Sequence, residues 1–171
     1  GLNKLGVNTL TLAGAATYNG PTTIAGGTLG LNPPGTDTLP GDITGNGGLA
    51  INGPGTVVLS GAANNYSGGT LISAGTLQIG DGVNAGSLPG NVTDQGSLVF
   101  DSPSYTATNN ISGSGSVMSI GSAGSLTLAG VNTYTGPTTI RNGGTLSLGA
   151  SGGMPAPSAL VLGEPSNQSI G

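Results

Sequence analysis

Short alternations of apolar and hydroxyl-bearing residues recur along the chain: Thr9-Leu10-Thr11-Leu12, Thr56-Val57-Val58-Leu59 and Ser125-Leu126-Thr127-Leu128, each followed later by Thr28-Leu29, Thr76-Leu77-Gln78-Ile79 or Thr145-Leu146-Ser147-Leu148. Gly, Asn or Pro bounds every run, which predicts short β-strands joined by tight turns. Asn19-Gly20, Asn46-Gly47, Asn52-Gly53 and Asn142-Gly143 supply corners where a positive φ costs little. The longest stretch free of both Gly and Pro, Ser104 to Ser112, is shorter than a mean α-helix of about 11 residues, so a helical domain is excluded.

The alternations belong to repeats. Residues 9–31 (TLTLAGAATYNGPTTIAGGTLGL), 56–80 (TVVLSGAANNYSGGTLISAGTLQIG) and 125–149 (SLTLAGVNTYTGPTTIRNGGTLSLG) are three copies of one motif. A second motif pairs Leu39 to Ile51 with Leu88 to Phe100, echoed weakly from Met154 to Leu162, and a third pairs Ile43 to Leu59 with Ile111 to Leu128. The motif tyrosines Tyr18, Tyr66 and Tyr134 lie 48 and 68 residues apart, so the second interval is longer by about one coil of a strand-and-turn solenoid. The coil is therefore the physical unit. The two-residue corners also suit an antiparallel sandwich, but strands this short, in repeats that register as stackable units, favour a parallel β-helix of about eight coils spanning 1–171 as a single segment of a longer array. Leu12, Leu59 and Leu128 are expected to stack as apolar ladders in its interior, with small residues letting a narrow core close.

Composition narrows the chemistry. Gly (36) and Pro (11) exceed a quarter of the 171 residues, whereas apolar residues make up 35% and the net charge is only −4, which argues for a folded chain rather than a disordered one. Lys4 and Arg141 are the sole basic residues, too few for phosphate neutralisation, so nucleic acid is not an expected partner. With no His and no Cys, the usual metal ligands, the commonest general base and every thiol nucleophile are missing. The chain is expected to be no enzyme and to need no cofactor or metal.

The copy at 125–149 resembles the autotransporter-associated β-strand repeat of type V secreted passenger domains, whose pattern L-x-G-x-N-T-Y-x-G-x-T-x-I-x-x-G-T-L-x-L-G it follows almost throughout. Copy 9–31 departs at Ala16, which replaces the Asn. Copy 56–80 shifts its tyrosine by one place and carries Gly69 where the others have Pro. The resemblance implies a right-handed parallel β-helix at the surface of a Gram-negative bacterium, exported through a C-terminal outer-membrane β-barrel outside this chain. It implies a structural, transport-assisting stalk and no catalytic residue. Joined to Gly1, Gly171 gives SIGGLNKLGVNTLTLAG, similar to residues 111–130, so neighbouring repeats or further copies of the chain are expected to stack end to end.

Other features carry weaker signals. The acids are Asp37, Asp42, Asp81, Asp94, Asp101 and Glu164; Asp94 and Asp101 are the pair to compare with a glycosidase's two carboxylates, against the reading of solvated corner groups. Gly45-Asn46-Gly47-Gly48 and Gly80-Asp81-Gly82 are fragments of a calcium β-roll signature and read as turns. Thr9-x-Thr11, Thr36-x-Thr38, Thr106-x-Thr108 and Thr133-x-Thr135 raise the alternative of an adhesin face for surface glycan or ice, although strand preference explains them. Tyr18, Tyr66 and Tyr134, each followed by Gly20, Gly68 or Gly136, are either a sugar-stacking platform or packed rings with wet hydroxyls. Asn65, Asn91, Asn110 and Asn167 match the N-glycan acceptor pattern and read as chance.

Overall fold

The computed structural model describes residues 1–121, 124–149, 153–155 and 158–163. Among them every strand is two to four residues long, no α-helix occurs, and every strand pairing is parallel. The result is a β-solenoid of about eight turns. The Asn-Gly corners thus turn the chain between faces instead of folding hairpins, because the strands they join are too short to bury a face by pairing with each other.

Each turn visits three faces in a fixed order. The first face stacks Thr9–Leu12, Thr28–Leu31, Gly48–Ile51, Thr70–Ile72, Val92–Asp94 and Ile111–Ser112. The second stacks Thr36–Leu39, Thr56–Leu59, Thr76–Ile79, Ser97–Phe100, Ser116–Ser119, Thr138–Ile140 and Leu160–Leu162. Leu2–Lys4, Thr22–Ile24 and Ile43–Thr44, and further along Ser104–Ala107, Ser125–Leu128 and Thr145–Leu148, occupy the same slot in chain order and form two stretches of a third face. Between those stretches single hydrogen bonds replace the ladder: Asn65 N–H donates to Ile43 O at 2.9 Å, Asn64 N–H to Ser87 Oγ at 2.8 Å, and Asn109 Nδ2 to Leu88 O at 2.9 Å.

The interior is made of inward rows, one side chain per turn. On the first face Leu12, Leu31, Ile51, Ile72 and Asp94 are in register, and on the second Leu39, Leu59, Ile79, Phe100, Ser119 and Ile140. Fully burying each aliphatic side chain contributes roughly 1.5–3 kcal/mol. Phe100 packs on Tyr105 with ring centroids 4.9 Å apart, tying the second face to the third.

Leu12, Leu59 and Leu128 do not share a ladder, contrary to expectation. Leu12 lies on the first face, Leu59 on the second and Leu128 on the third, where it pairs with Ala107 and Leu148. From Thr9 to Thr56 the chain makes two turns and one further face, and from Thr56 to Ser125 three turns and one further face. Each copy of the motif is therefore rotated by one face relative to the copy before it. The paired copies of the second and third motifs obey the same rule, Ile43 standing on the third face and its counterparts Val92 and Ile111 on the first, whereas the weak echo at Leu160–Leu162 stays on the face of Leu98–Phe100. The continuation from Gly171 to Gly1, and Glu164 and Asn167, fall outside the described residues.

Candidate functional site

The residues that define the motif build one device three times. In Tyr-x-Gly-x-Thr the tyrosine enters from the corner after a strand, and its hydroxyl meets the threonine four residues on. The distances are 3.1 Å for Tyr18 and Thr22, 2.7 Å for Tyr66 and Thr70, and 2.6 Å for Tyr134 and Thr138. Tyr66 and Tyr134 are 1% and 0% exposed, and Tyr18 is half-buried. A ring buried on one side of the core, with its phenol satisfied locally, adds apolar area without leaving a polar atom unpaired. Burial pushes the Tyr66 and Tyr134 phenols above their ordinary range, and the threonine bond only partly offsets this. Two of the rings are buried and the three stand at different corners, so they form no sugar-stacking platform, and the two buried hydroxyls are not wet.

The glycine of the same motif is required by stacking. A Cβ on Gly136 would land on the carbonyl of Gly115 one turn away, and one on Gly68 would sit 2.6 Å from the carbonyl carbon of Gly47. At Gly20 the neighbour is the Gly1 nitrogen, 2.8 Å away. With strands spaced about 4.8 Å apart, a corner that crosses directly over another corner has no room for a side chain.

Sequence reasoning missed the asparagine two places before the tyrosine as a buried group. Asn64 Oδ1 accepts from Ile43 N–H at 2.7 Å and its Nδ2 donates to Ser87 O at 2.8 Å; Asn132 Oδ1 accepts from Ile111 N–H at 3.1 Å and its Nδ2 donates to Gly153 O at 3.3 Å. One side-chain amide thus stitches the turn before to the turn after. In the first copy Ala16 lacks that amide, and its backbone N–H donates instead to Asp37 Oδ2 at 2.9 Å. The N-x-Y spacing was the available signal: measured back from the tyrosine, Asn64 and Asn132 are equivalent despite the shift in the second copy.

Among the described residues the acids do not converge. Asp94 is 0% exposed, inside the solenoid, which corrects its reading as a solvated corner group; the third place of the strand Val92–Asp94 faces inward. Asp101 lies on the outer side, where its Oδ2 accepts from Gln78 Nε2 at 3.3 Å, and burial followed by the nearby Asp81 raises its pKa. Asp37 is likewise buried, and Asp42 accepts from Ala63 N–H at 2.9 Å. Asp81 fits the turn reading: it is exposed and accepts from Asn84 Nδ2 at 2.9 Å and then from the backbone N–H groups of Asn84 and Val83, which lowers its pKa. Lys4 is buried, its Nζ donating to Gly6 O at 2.6 Å and Gly26 O at 2.7 Å.

The T-x-T pairs are scattered over all three faces. What the register lines up instead is a column along the second face, Thr36, Thr56, Thr76, Ser97 and Ser116, in which Ser116 Oγ donates to Ser97 Oγ at 3.2 Å. On the first face Gly48, Ala50 and Gly69 leave an open groove flanked by Thr28, Leu71 and Thr93.

Comparison with known proteins matches residues 2–31, 49–79 and 122–148 to the passenger-associated-transport-repeat family. Over 50 residues the chain is 52% identical to the adhesin BmaC autotransporter of Brucella suis biovar 1 (strain 1330), an alignment covering 29% of this chain and 2% of that protein. No solved structure matches.

Proposed function

The chain belongs to the passenger-associated-transport-repeat family, whose matches cover just over half of it, and from that footing we propose that this autotransporter passenger segment acts as a rigid stalk whose turn-by-turn assembly assists export. Passengers of this kind are carried to the surface of Gram-negative bacteria with the help of a C-terminal outer-membrane β-barrel, which is the partner proposed for the parent protein. The observation that carries the reading is that the residues the motif specifies are spent mainly on the rod. The tyrosines and glycines build corners, and most of the leucines build inward rows. The role is mechanical rather than catalytic. At one end the strands Leu2–Lys4 and Thr9–Leu12 each have one paired neighbour among the described residues, which suits stacking against further repeats or copies into filaments.

The test is surface display of a family passenger carrying this segment. Tyr66→Ala with Tyr134→Ala is expected to lower the protease-accessible passenger on intact cells, while outward Thr38→Ala leaves it unchanged. Full display of a double variant shown to be unfolded in isolation would overturn the export role.

The hydroxyl column from Thr36 to Ser116 favours a second reading, a surface-glycan face, as the relative's name "adhesin" suggests for that protein. A glycan array that is blank at high protein concentration removes it.

A further inference from the structure

Four aliphatic side chains, Leu12, Leu31, Ile51 and Ile72, lead up the inward row of the first face to Asp94. Its carboxyl is 0% exposed. Oδ1 accepts from Gly96 N–H at 2.9 Å, and Oδ2 has no hydrogen-bond partner among the described residues. The space beside it is closed, because a Cβ built on Gly115 would overlap the carboxyl group itself. The elements packed against it contribute Ile72 from Thr70–Ile72, Gly113 and Gly115 after Ile111–Ser112, and Leu98 from Ser97–Phe100, and none of these segments bears a titratable or charged residue. An isolated carboxylate in such a place is costly, whereas the neutral acid is an ordinary polar group.

We propose that Asp94 holds a proton inside the folded solenoid at mildly acidic pH, where the unfolded chain has already ionised, so that closing this turn takes up a proton there and the passenger tightens on acidification. Burial holds the folded group up to about 6, against the opposing pull of the Gly96 and Leu98 backbone N–H groups. In the unfolded chain an aspartate gives up its proton near pH 3.9. Between those values the folded state keeps a proton that the unfolded state has lost, so stability falls as pH rises through the window and levels off above it. This is the reverse of the salt-bridged aspartate, which stabilises at neutral pH.

The experiment is urea unfolding of the chain, followed by far-UV circular dichroism, from about pH 4 to about pH 8, for the native sequence and for Asp94→Asn. The unfolding constant of the native chain is expected to rise on the order of a hundredfold more than that of the variant over this range. Parallel profiles overturn the proposal. Should Asp94→Asn fail to fold, the carboxyl carbon resonance of Asp94 in the native chain answers directly: a midpoint well above those of the exposed aspartates supports the proposal, and a midpoint at or below about 4 overturns it.

Discussion

The hydroxyl of Tyr134 lies 2.6 Å from Oγ1 of Thr138, four residues further on, and both side chains are wholly buried. The pair closes on itself: phenol and threonine satisfy one another within the turn that joins two faces. Because the same pair occurs at Tyr66 and Thr70 on another corner, the bond belongs to the motif and not to one place in the solenoid.

Removing the phenol oxygen strands its partner. Tyr134→Phe leaves the Thr138 hydroxyl buried without a hydrogen bond and is expected to cost about 1–3 kcal/mol in urea unfolding. Tyr18→Phe, where the ring is half-exposed and water replaces the lost partner, should cost under about 0.5 kcal/mol. Equal losses at the two sites would mean that ring packing, not the bond, sets the motif.

Glycines that look alike in sequence should separate sharply. Gly136→Ala drives a methyl into the Gly115 carbonyl and is expected to lose more than about 3 kcal/mol, since backbone on both sides must move. Gly35→Ala meets nothing within 4 Å and holds no positive φ, so it should be neutral or stabilising by about 0.4–1 kcal/mol. Thermal unfolding of the two variants decides between crowding and a general intolerance of side chains.

Neighbouring asparagines offer the same comparison for polar groups. Asn132→Ala deprives the buried Ile111 N–H of its acceptor and is expected to cost about 1–3 kcal/mol. Asn110→Ala removes an equivalent bond from Val131 N–H, at 2.8 Å but on the surface, and should stay within about 0.5 kcal/mol. Denaturation midpoints that move together would refute the stitching role of Asn132.

The turn was legible in the sequence because three long copies expose it, and the difference between their spacings equals one coil. The rotation between copies was not, since alignment reports the length of an interval and not its remainder. The step between Thr9 and Thr56 exceeds two turns by the third of a turn that moves Leu12 and Leu59 onto different faces. Asp94 was misplaced for a related reason. Val-Thr-Asp-Gln-Gly reads as a corner by composition, but once Val92 faces inward and Thr93 outward, the alternation of a strand forces Asp94 inward.

The buried phenols also set an upper limit on the pH range of the fold. Burial raises the Tyr66, Tyr105 and Tyr134 hydroxyls above their ordinary range; at Tyr105 the N–H of Leu88, which donates to its oxygen at 2.9 Å, offsets part of that rise. Free tyrosines in the unfolded chain ionise near pH 10. Above that value the unfolded state releases protons that the folded state retains, so the stability these groups contribute is fully present below about pH 10 and drains away as the pH climbs past it. A titration that follows phenolate absorbance together with the far-UV signal should therefore show these tyrosines ionising in the same step that destroys the β-structure. Complete phenolate formation with the β-signal intact would mean that the rings reach solvent without unfolding, and the motif would then be a surface feature instead of the corner on which each turn closes.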